Sequence, residues 1–242
     1  MANDDPNTDA TAVPYGTPQA PRIAVRGEAH LEAEPELARI GITVSARGTD
    51  RRTALASLTQ RNAGVLDLVK TYGEAVERLE TGAFSITPEF TKHGRGERIR
   101  TYHGSVHITA ELTDFTALGE LTTHLADLDL TRVDGPWWSL RPTSPVHATA
   151  RRQAVHEAVQ RAREYADALG TTLAALVELA DIGAEGPGGP FGHTMTRSAV
   201  MPTSAAYGAG LDDTPAGLDL EPERQHVHAA VNARFTLHPP TL

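Results

Sequence analysis

From Arg22 onward the chain alternates apolar and polar residues. Ile23, Val25, Ala29 and Leu31 fall on one side of a first extended segment, and Ala38, Ile40, Ile42 and Val44 on one side of a second. A period of two marks strands with one buried face. Glu34-Pro35 between the two sets predicts a bend, because proline donates nothing to a ladder. The period then lengthens. Leu55, Leu58, Val65, Leu66 and Val69 recur at helical spacing, with Asp50 or Thr49 as the N-cap and Gly73 as the stop. Asn62 shares that stripe and is expected to bond a neighbouring turn.

Two further strands are predicted, Val76 to Phe90 and Ile99 to Leu112, joined by the polar turn "TKHGRGER". In the second, Tyr102, Val106, Ile108, Ala110 and Leu112 face one way and His103, Ser105, His107 and Thr109 the other. Leu79 and Phe84 have opposite parity in the first, which calls for a bulge near Gly82. "DFTALGELTTHLADL" predicts a helix capped by Asp114, with Phe115, Leu118, Leu121 and Leu125 inward. "TRVDGPWWSLRPT" reads as a strand. Ser144-Pro145 opens the longest helix, with Val155, Ala158, Ala162, Tyr165, Ala166 and Leu169 as its stripe and Gly170 past its end. "TLAALVELAD" is another strand, and the last one buries Val227, Ala229, Val231, Ala233, Phe235 and Leu237.

The order is β-β-α-β-β-α-β-α-β-loop-β. Paired strands interleaved with three helices predict an α+β fold with mostly antiparallel sheets. Residues 1–20 read as a disordered acidic tail and 21–242 as a single domain, whose 183–217 stretch, rich in Gly and Pro, is a long loop.

Charge sharpens this division. The net charge is -9, and the tail (Asp4, Asp5, Asp9) and residues 181–225 hold most of the excess acid. Without a basic run the chain gains nothing from counterion release, so nucleic-acid binding is not expected. There is no cysteine, which removes thiol chemistry and disulfides together. The first residues, "MANDDPNTDATAVPYGTPQAP", lack a basic n-region and an apolar h-region. No apolar run reaches the ~18 residues of a spanning helix. A cytoplasmic protein with no membrane span is the expectation.

The candidate chemistry lies in the histidines. His226 and His228 lie two apart on a strand and so point the same way, roughly 7 Å apart. A third ligand, His103 or His107, would complete a metal cluster if the last strand lay beside the Ile99–Leu112 strand. The simpler expectation is that these histidines line a solvated sheet face. "HEAVQ" at 156–160 has Gln160 where a zinc-protease helix needs its second histidine. "GRGERI" at 94–99 sits between strands rather than opening a helix. "GPGGPFG" at 186–192 has no following helix, and no G-x-S-x-G occurs. No catalytic residue, cofactor or resident metal is expected. Trp137 and Trp138 are adjacent in a strand and must face opposite ways, one into the core and the other exposed, covered by a helix or buried in a partner, where an exposed Trp would serve as an interface anchor.

The blocks "RIAVRGEAHLEAEPELARIGITVSARG", "ALASLTQRNAGVLDLVKTYG", "LETGAFSITPEF", "ARRQAVHEAVQRAREYADALG" and "LEPERQHVHAAVNARFTL", in this order across about 21–240, resemble the SIMPL-domain family. The pieces that carry the resemblance are Arg26-Gly27-Glu28, the bend Pro35-Glu36-Leu37-Ala38, the turn Ser85–Pro88 and the Ala-rich third helix. The chain departs from the family in lacking an export signal, in Arg161 and Tyr165, and in Glu223. The resemblance implies an α+β domain with a long excursion before the last strand. It also implies a link to oxidative-stress defence or signalling interactions, ring-like assembly, and no established catalytic residues. The resulting expectation is a non-enzymatic, self-associating homo-oligomer. The alternatives are a metal-binding protein or metal-dependent hydrolase using the His cluster, and an adaptor that takes a protein partner through 183–217.

Overall fold

A computed structural model describes residues 16–90, 99–181 and 217–241. The elements are β1 (Arg22–Ala33), β2 (Leu37–Gly48), α1 (Arg51–Lys70), β3 (Val76–Phe90), β4 (Ile99–Leu112), α2 (Phe115–Ala126), β5 (Thr131–Ser139), α3 (Pro145–Ala168), β6 (Leu173–Asp181) and β7 (Gln225–Leu237). The α+β class and the element order are those the periodicity predicts. The expected loop at 183–217 lies outside the described residues except for Gly217, as do the turn at 91–98 and residues 1–15 of the expected tail. The chain divides into two compact units, with breaks at 32/33, 142/143 and 225/226.

The unit built around residues 33–142 contains a four-stranded sheet in the order β3-β4-β2-β5. β2 pairs antiparallel with β4 (Ile42 opposite Ile108) and with β5 (Ala38 opposite Trp138), and β3 pairs with β4. The β3–β4 register shifts between Thr81 and Phe84, the bulge that the parity of Leu79 and Phe84 demands. Ile40, Ile42, Val44, Ile108 and Leu112 are fully buried against Leu58, Val65 and Val69 of α1 and Leu118, Leu121 and Leu125 of α2.

Asp50 caps α1 by accepting from the Thr53 N–H at 2.9 Å, which holds its carboxyl below the usual value. Asp114 caps α2 through the N–H groups of Thr116 (2.9 Å) and Ala117 (3.1 Å). The bend before β2 is tied down as well: Glu36 N–H donates to the Ser139 carbonyl at 2.9 Å, and Arg141 N–H to the Glu36 carboxylate at 3.0 Å. The Glu77 carboxylate bonds the Arg141 guanidinium and raises its pKa.

Two expectations for α1 are corrected. Leu55 is exposed, and Ala54, one residue earlier, is the buried residue of that turn. The close approach of the helix to Gly48 explains why, since the Gly48 backbone crowds the Ala54 N–H. Asn62 Oδ1 is buried but accepts no hydrogen bond, so Asn62 does not make the expected bond to a turn.

The other unit consists of β1, α3, β6 and β7 in a three-stranded sheet, order β1-β7-β6. β6 and β7 are antiparallel, with Leu176 opposite Phe235 and Leu179 opposite Ala233. β1 is antiparallel to β7 as well: the Leu237 N–H donates to the Pro21 carbonyl at 2.8 Å. Ala154, Ala158 and Ala162 of α3 pack on Val25 and Ala29 of β1 and Val231, Ala233 and Phe235 of β7. The stripe of α3 differs from the expected one. It is a run of alanines, Ala150, Ala154, Ala158, Ala162 and Ala166, while Tyr165 and Leu169 are exposed. Small residues win the inward positions because Gly27 brings the β1 backbone against the helix at Ala154 and Ala158.

Candidate functional site

The structure separates the histidines that the sequence could have joined. β7 lies between β1 and β6, not beside β4, so His226 and His228 stand on the three-stranded sheet and His103 and His107 on the four-stranded one. His107 Nδ1 bonds Thr43 Oγ1 at 3.3 Å across the β2–β4 pair, and His103 Nδ1 is buried without a partner. The proposed meeting of the two strands therefore does not occur, for the physical reason that β7 spends its two edges on β1 and β6.

A different set converges on the three-stranded sheet. Val25, Gly27 and Ala29 turn inward to α3, so Arg26, Glu28, His30 and Glu32 line the opposite face of β1. Antiparallel pairing brings His228 of β7 beside His30, with ring centroids 4.5 Å apart and ring planes tilted by 45°. One residue pair further along, His226 Nδ1 lies 3.9 Å from a Glu32 carboxylate oxygen. Glu28 completes a group with His30 and His228 in which a donor atom of each lies within 4.8 Å of the others. Glu28 is half-buried and the two imidazoles are exposed. Its carboxylate is oriented by Arg26, whose Nε donates to Oε1 at 2.6 Å. Its backbone N–H is held by Glu157 of α3 at 3.1 Å, and Glu157 is in turn paired with Arg161.

Of this cluster the sequence reading contained His228 alone. His30 and Glu28 could have been found from the strictly polar alternation Arg26, Glu28, His30, Glu32, once β1 was known to neighbour β7.

The same sheet carries an apolar edge. β6 is a terminal strand, and Leu176, Val177 and Leu179 are exposed although seven of its nine residues are apolar. Leu176 and Leu179 lie opposite Phe235 and Ala233, on the side of the sheet that α3 covers elsewhere, yet they remain 54% and 46% exposed. The opposite edge, β1, is occupied at Glu28 by the Glu157 side chain. On the outer side of β6, Glu178 pairs with Arg234 of β7.

In the other unit Trp138 faces the core, edge-on to Phe115 at 4.8 Å between ring centroids. Trp137 is 48% exposed, with the Arg39 guanidinium 5.7 Å from its ring centre. Only Trp137 of the expected interface pair thus presents its ring at the surface.

These features define an α+β protein whose three-stranded sheet combines a polar face of histidines and carboxylates with an apolar strand that is terminal among the described residues. The chain belongs to the SIMPL family, described as a protein of unknown function (DUF541), whose profile matches residues 23–235. It is 29% identical over 178 residues to the 26 kDa periplasmic immunogenic protein of Brucella melitensis, a match covering 69% of this chain and 68% of the relative, and the Brucella abortus protein of the same name matches equally. The uncharacterized protein YggE of Edwardsiella ictaluri is 22% identical over 157 residues, 64% of this chain and 66% of the relative. Among solved structures, a putative amidohydrolase/peptidase from Burkholderia cenocepacia is 19% identical with a TM-score of 0.23, covering 55% of this chain and 33% of that one. A score of that size transfers neither fold nor activity. The names of the Brucella relatives overturn the expected cytoplasmic location, since they place those proteins in the periplasm. Among the described residues no helix is long and apolar enough to cross a membrane.

Proposed function

We propose that this chain is a non-enzymatic, self-associating protein of the periplasm whose copies join through β6. The observation that carries the reading is the terminal strand with Leu176, Val177 and Leu179 exposed. An unpaired strand edge offers a row of backbone donors and acceptors to another chain, and soluble proteins ordinarily blunt such an edge with charge, proline or a covering element. β6 contains no proline and no lysine, and its two acids lie at Glu178 and Asp181. The occupant best matched to it is a second copy of β6. Pairing about a two-fold axis applies the same apolar strand twice, satisfies both edges and builds one continuous sheet. The periplasmic location is supported by the names of the relatives.

Light scattering coupled to size-exclusion chromatography tests this on the tag-free protein. The parent elutes as a discrete assembly, and the double variant Leu176→Lys/Leu179→Lys elutes as a monomer. Ile99→Lys, at an exposed apolar residue of the other unit, leaves the mass unchanged. A monomeric parent at tens of micromolar, or an assembly that survives the double lysine change, would refute the proposal.

A further inference from the structure

We infer that Glu28, His30 and His228 form a binding site for one divalent transition-metal ion of the zinc class, with a coordination position open to solvent. The inference stands apart from self-association and rests on the register of β1 against β7.

The first support is geometric. Two imidazoles and one carboxylate have donor atoms within 4.8 Å of one another. Metal–ligand bonds of about 2.0–2.1 Å in a tetrahedral site set donor atoms about 3.3 Å apart. The remaining difference falls to the side-chain torsions of the two histidines, which are exposed and so free of packing on their outer side. The backbone itself is fixed: His30 and His228 sit on adjacent strands of one sheet, and Glu28 lies two residues from His30 on the same face.

The second support is the surroundings. The register that sets His228 beside His30 and His226 beside Glu32 places Glu28 opposite Ala230. Ala230 has only a methyl group, so the residue opposite Glu28 puts no long side chain between Glu28 and His228. Arg26 bonds one oxygen of the Glu28 carboxylate and leaves the other for the ion. Orienting a ligating carboxylate through a hydrogen bond from outside the coordination shell is a general feature of metal sites. The positive charge of Arg26 lowers the local attraction for a cation, while Glu32, two residues past His30 on the same face, adds negative charge on the other side of the site.

The third support is donor chemistry. Imidazole nitrogen with carboxylate oxygen, in a chain with no cysteine, suits zinc, copper or nickel rather than the all-oxygen preference of magnesium or calcium. Three protein ligands leave the fourth tetrahedral position to water.

The test is calorimetric titration of chelator-stripped, tag-free full chain with Zn²⁺ alone, repeated with Co²⁺ to read the coordination geometry from its visible absorption. The expected result is one ion per chain and a tetrahedral cobalt spectrum. His30→Ala, His228→Ala and Glu28→Gln should each weaken binding at least about tenfold, whereas His226→Ala and His103→Ala stay within about twofold. Because the two histidines are exposed, the variants retain the parent far-UV circular dichroism spectrum. As a second readout, Zn²⁺ raises the thermal midpoint of the parent but not that of the His30→Ala/His228→Ala double variant. Absence of saturable binding would overturn the inference. So would undiminished binding by the double variant, loss at His226→Ala instead, or a stoichiometry of one ion per two chains.

Discussion

Gly27→Ala is expected to destabilise the protein although the same change is ordinarily mild or helpful. At an unstrained position, replacing glycine by alanine stabilises by about 0.4–1 kcal/mol, because it reduces the freedom of the unfolded chain. Gly27 is different because α3 lies on top of it. A Cβ there would stand 2.5 Å from the Ala158 nitrogen and 2.7 Å from the Ala158 Cβ, and closer still to the Ala154 carbonyl oxygen, whereas ordinary contact begins at 3.4 Å. The nearest obstacles are backbone atoms, so no side chain can rotate out of the way. α3 must withdraw by about 1 Å, and a gap of that size forfeits roughly half of the dispersion well of each contact it opens. Forced overpacking costs about 1–3 kcal/mol, and the upper end applies where backbone has to move.

The matched control is Gly64→Ala in the exposed interior of α1, where nothing lies within 4 Å of the added carbon. Helix propensity alone then acts, and the change stabilises by about 1 kcal/mol. Trp137 and Trp138 belong to the other unit, so the assay is urea unfolding followed by far-UV circular dichroism, with hydrogen exchange of the α3 amides. Adding Ala158→Gly to Gly27→Ala removes only the Cβ contact and leaves the Ala154 carbonyl in place, so it does not restore stability. A Gly27→Ala variant within about 0.5 kcal/mol of the parent, or one rescued by Ala158→Gly, would refute the close-packing account.

Three other outcomes follow from the caps and from the core of the four-stranded unit. Asp114→Ala loses both N–H bonds at the start of α2 and lowers unfolding stability by about 1 kcal/mol in urea. The Asp50 carboxyl is held low by the Thr53 N–H, so its contribution is complete above the ordinary value of 3.8 and is lost as pH falls through its depressed folded value. In an acid titration followed by circular dichroism, Asp50→Asn, which caps without titrating, should therefore lose the part of the acid-induced destabilisation that begins below 3.8. Trp138→Ala removes the ring packed on Phe115 and costs about 3 kcal/mol, whereas Trp137→Ala, at an exposed site, stays within about 0.5 kcal/mol when both are compared by urea midpoint.

β2 and β4 were legible because each hides one face, and a period of two survives in the residues themselves: Ile40, Ile42 and Val44 on β2, and Val106, Ile108, Ala110 and Leu112 on β4. Size misleads where elements come closest. Reading for large apolar residues puts Leu55, Tyr165 and Leu169 inside, yet the structure buries Ala54 and the alanines from 150 to 166. Close approach selects against bulk, so the most intimate contacts are written in Gly and Ala, which carry little weight in a hydrophobic pattern. The histidine cluster was illegible for another reason. The neighbour of β7 is β1, nearly the whole chain away in sequence, and non-local strand order leaves no mark in local periodicity. The motif around Pro35-Glu36 was visible as a bend, but the function of its acid, accepting the Arg141 N–H, depends on a strand end more than a hundred residues later.

The exposed edge and the close-packed helix have one geometric cause. An α-helix is about 10 Å across and strands are spaced about 4.8 Å apart, so a single helix roofs two strands. α3 approaches closely at Gly27 and roofs β1 and β7, which hold its apolar contacts in the sheet apart from the part-buried Leu173. The third strand extends past it. β6 nevertheless keeps an apolar sequence on the side where no second helix arrives among the described residues, and Leu176 and Leu179 stay half in water. Full burial of a leucine is worth about 1.5–3 kcal/mol, so covering the exposed half of each returns about 1 kcal/mol per residue. An edge-to-edge pair counts every such contact twice. Substituting a larger residue for Ala158 cannot roof β6 instead, because it would lift α3 from Gly27 before it reached sideways. The exposure of β6 among the described residues is thus set by the width of the helix, and the proposed pairing with a second copy would leave the packing beneath α3 unchanged.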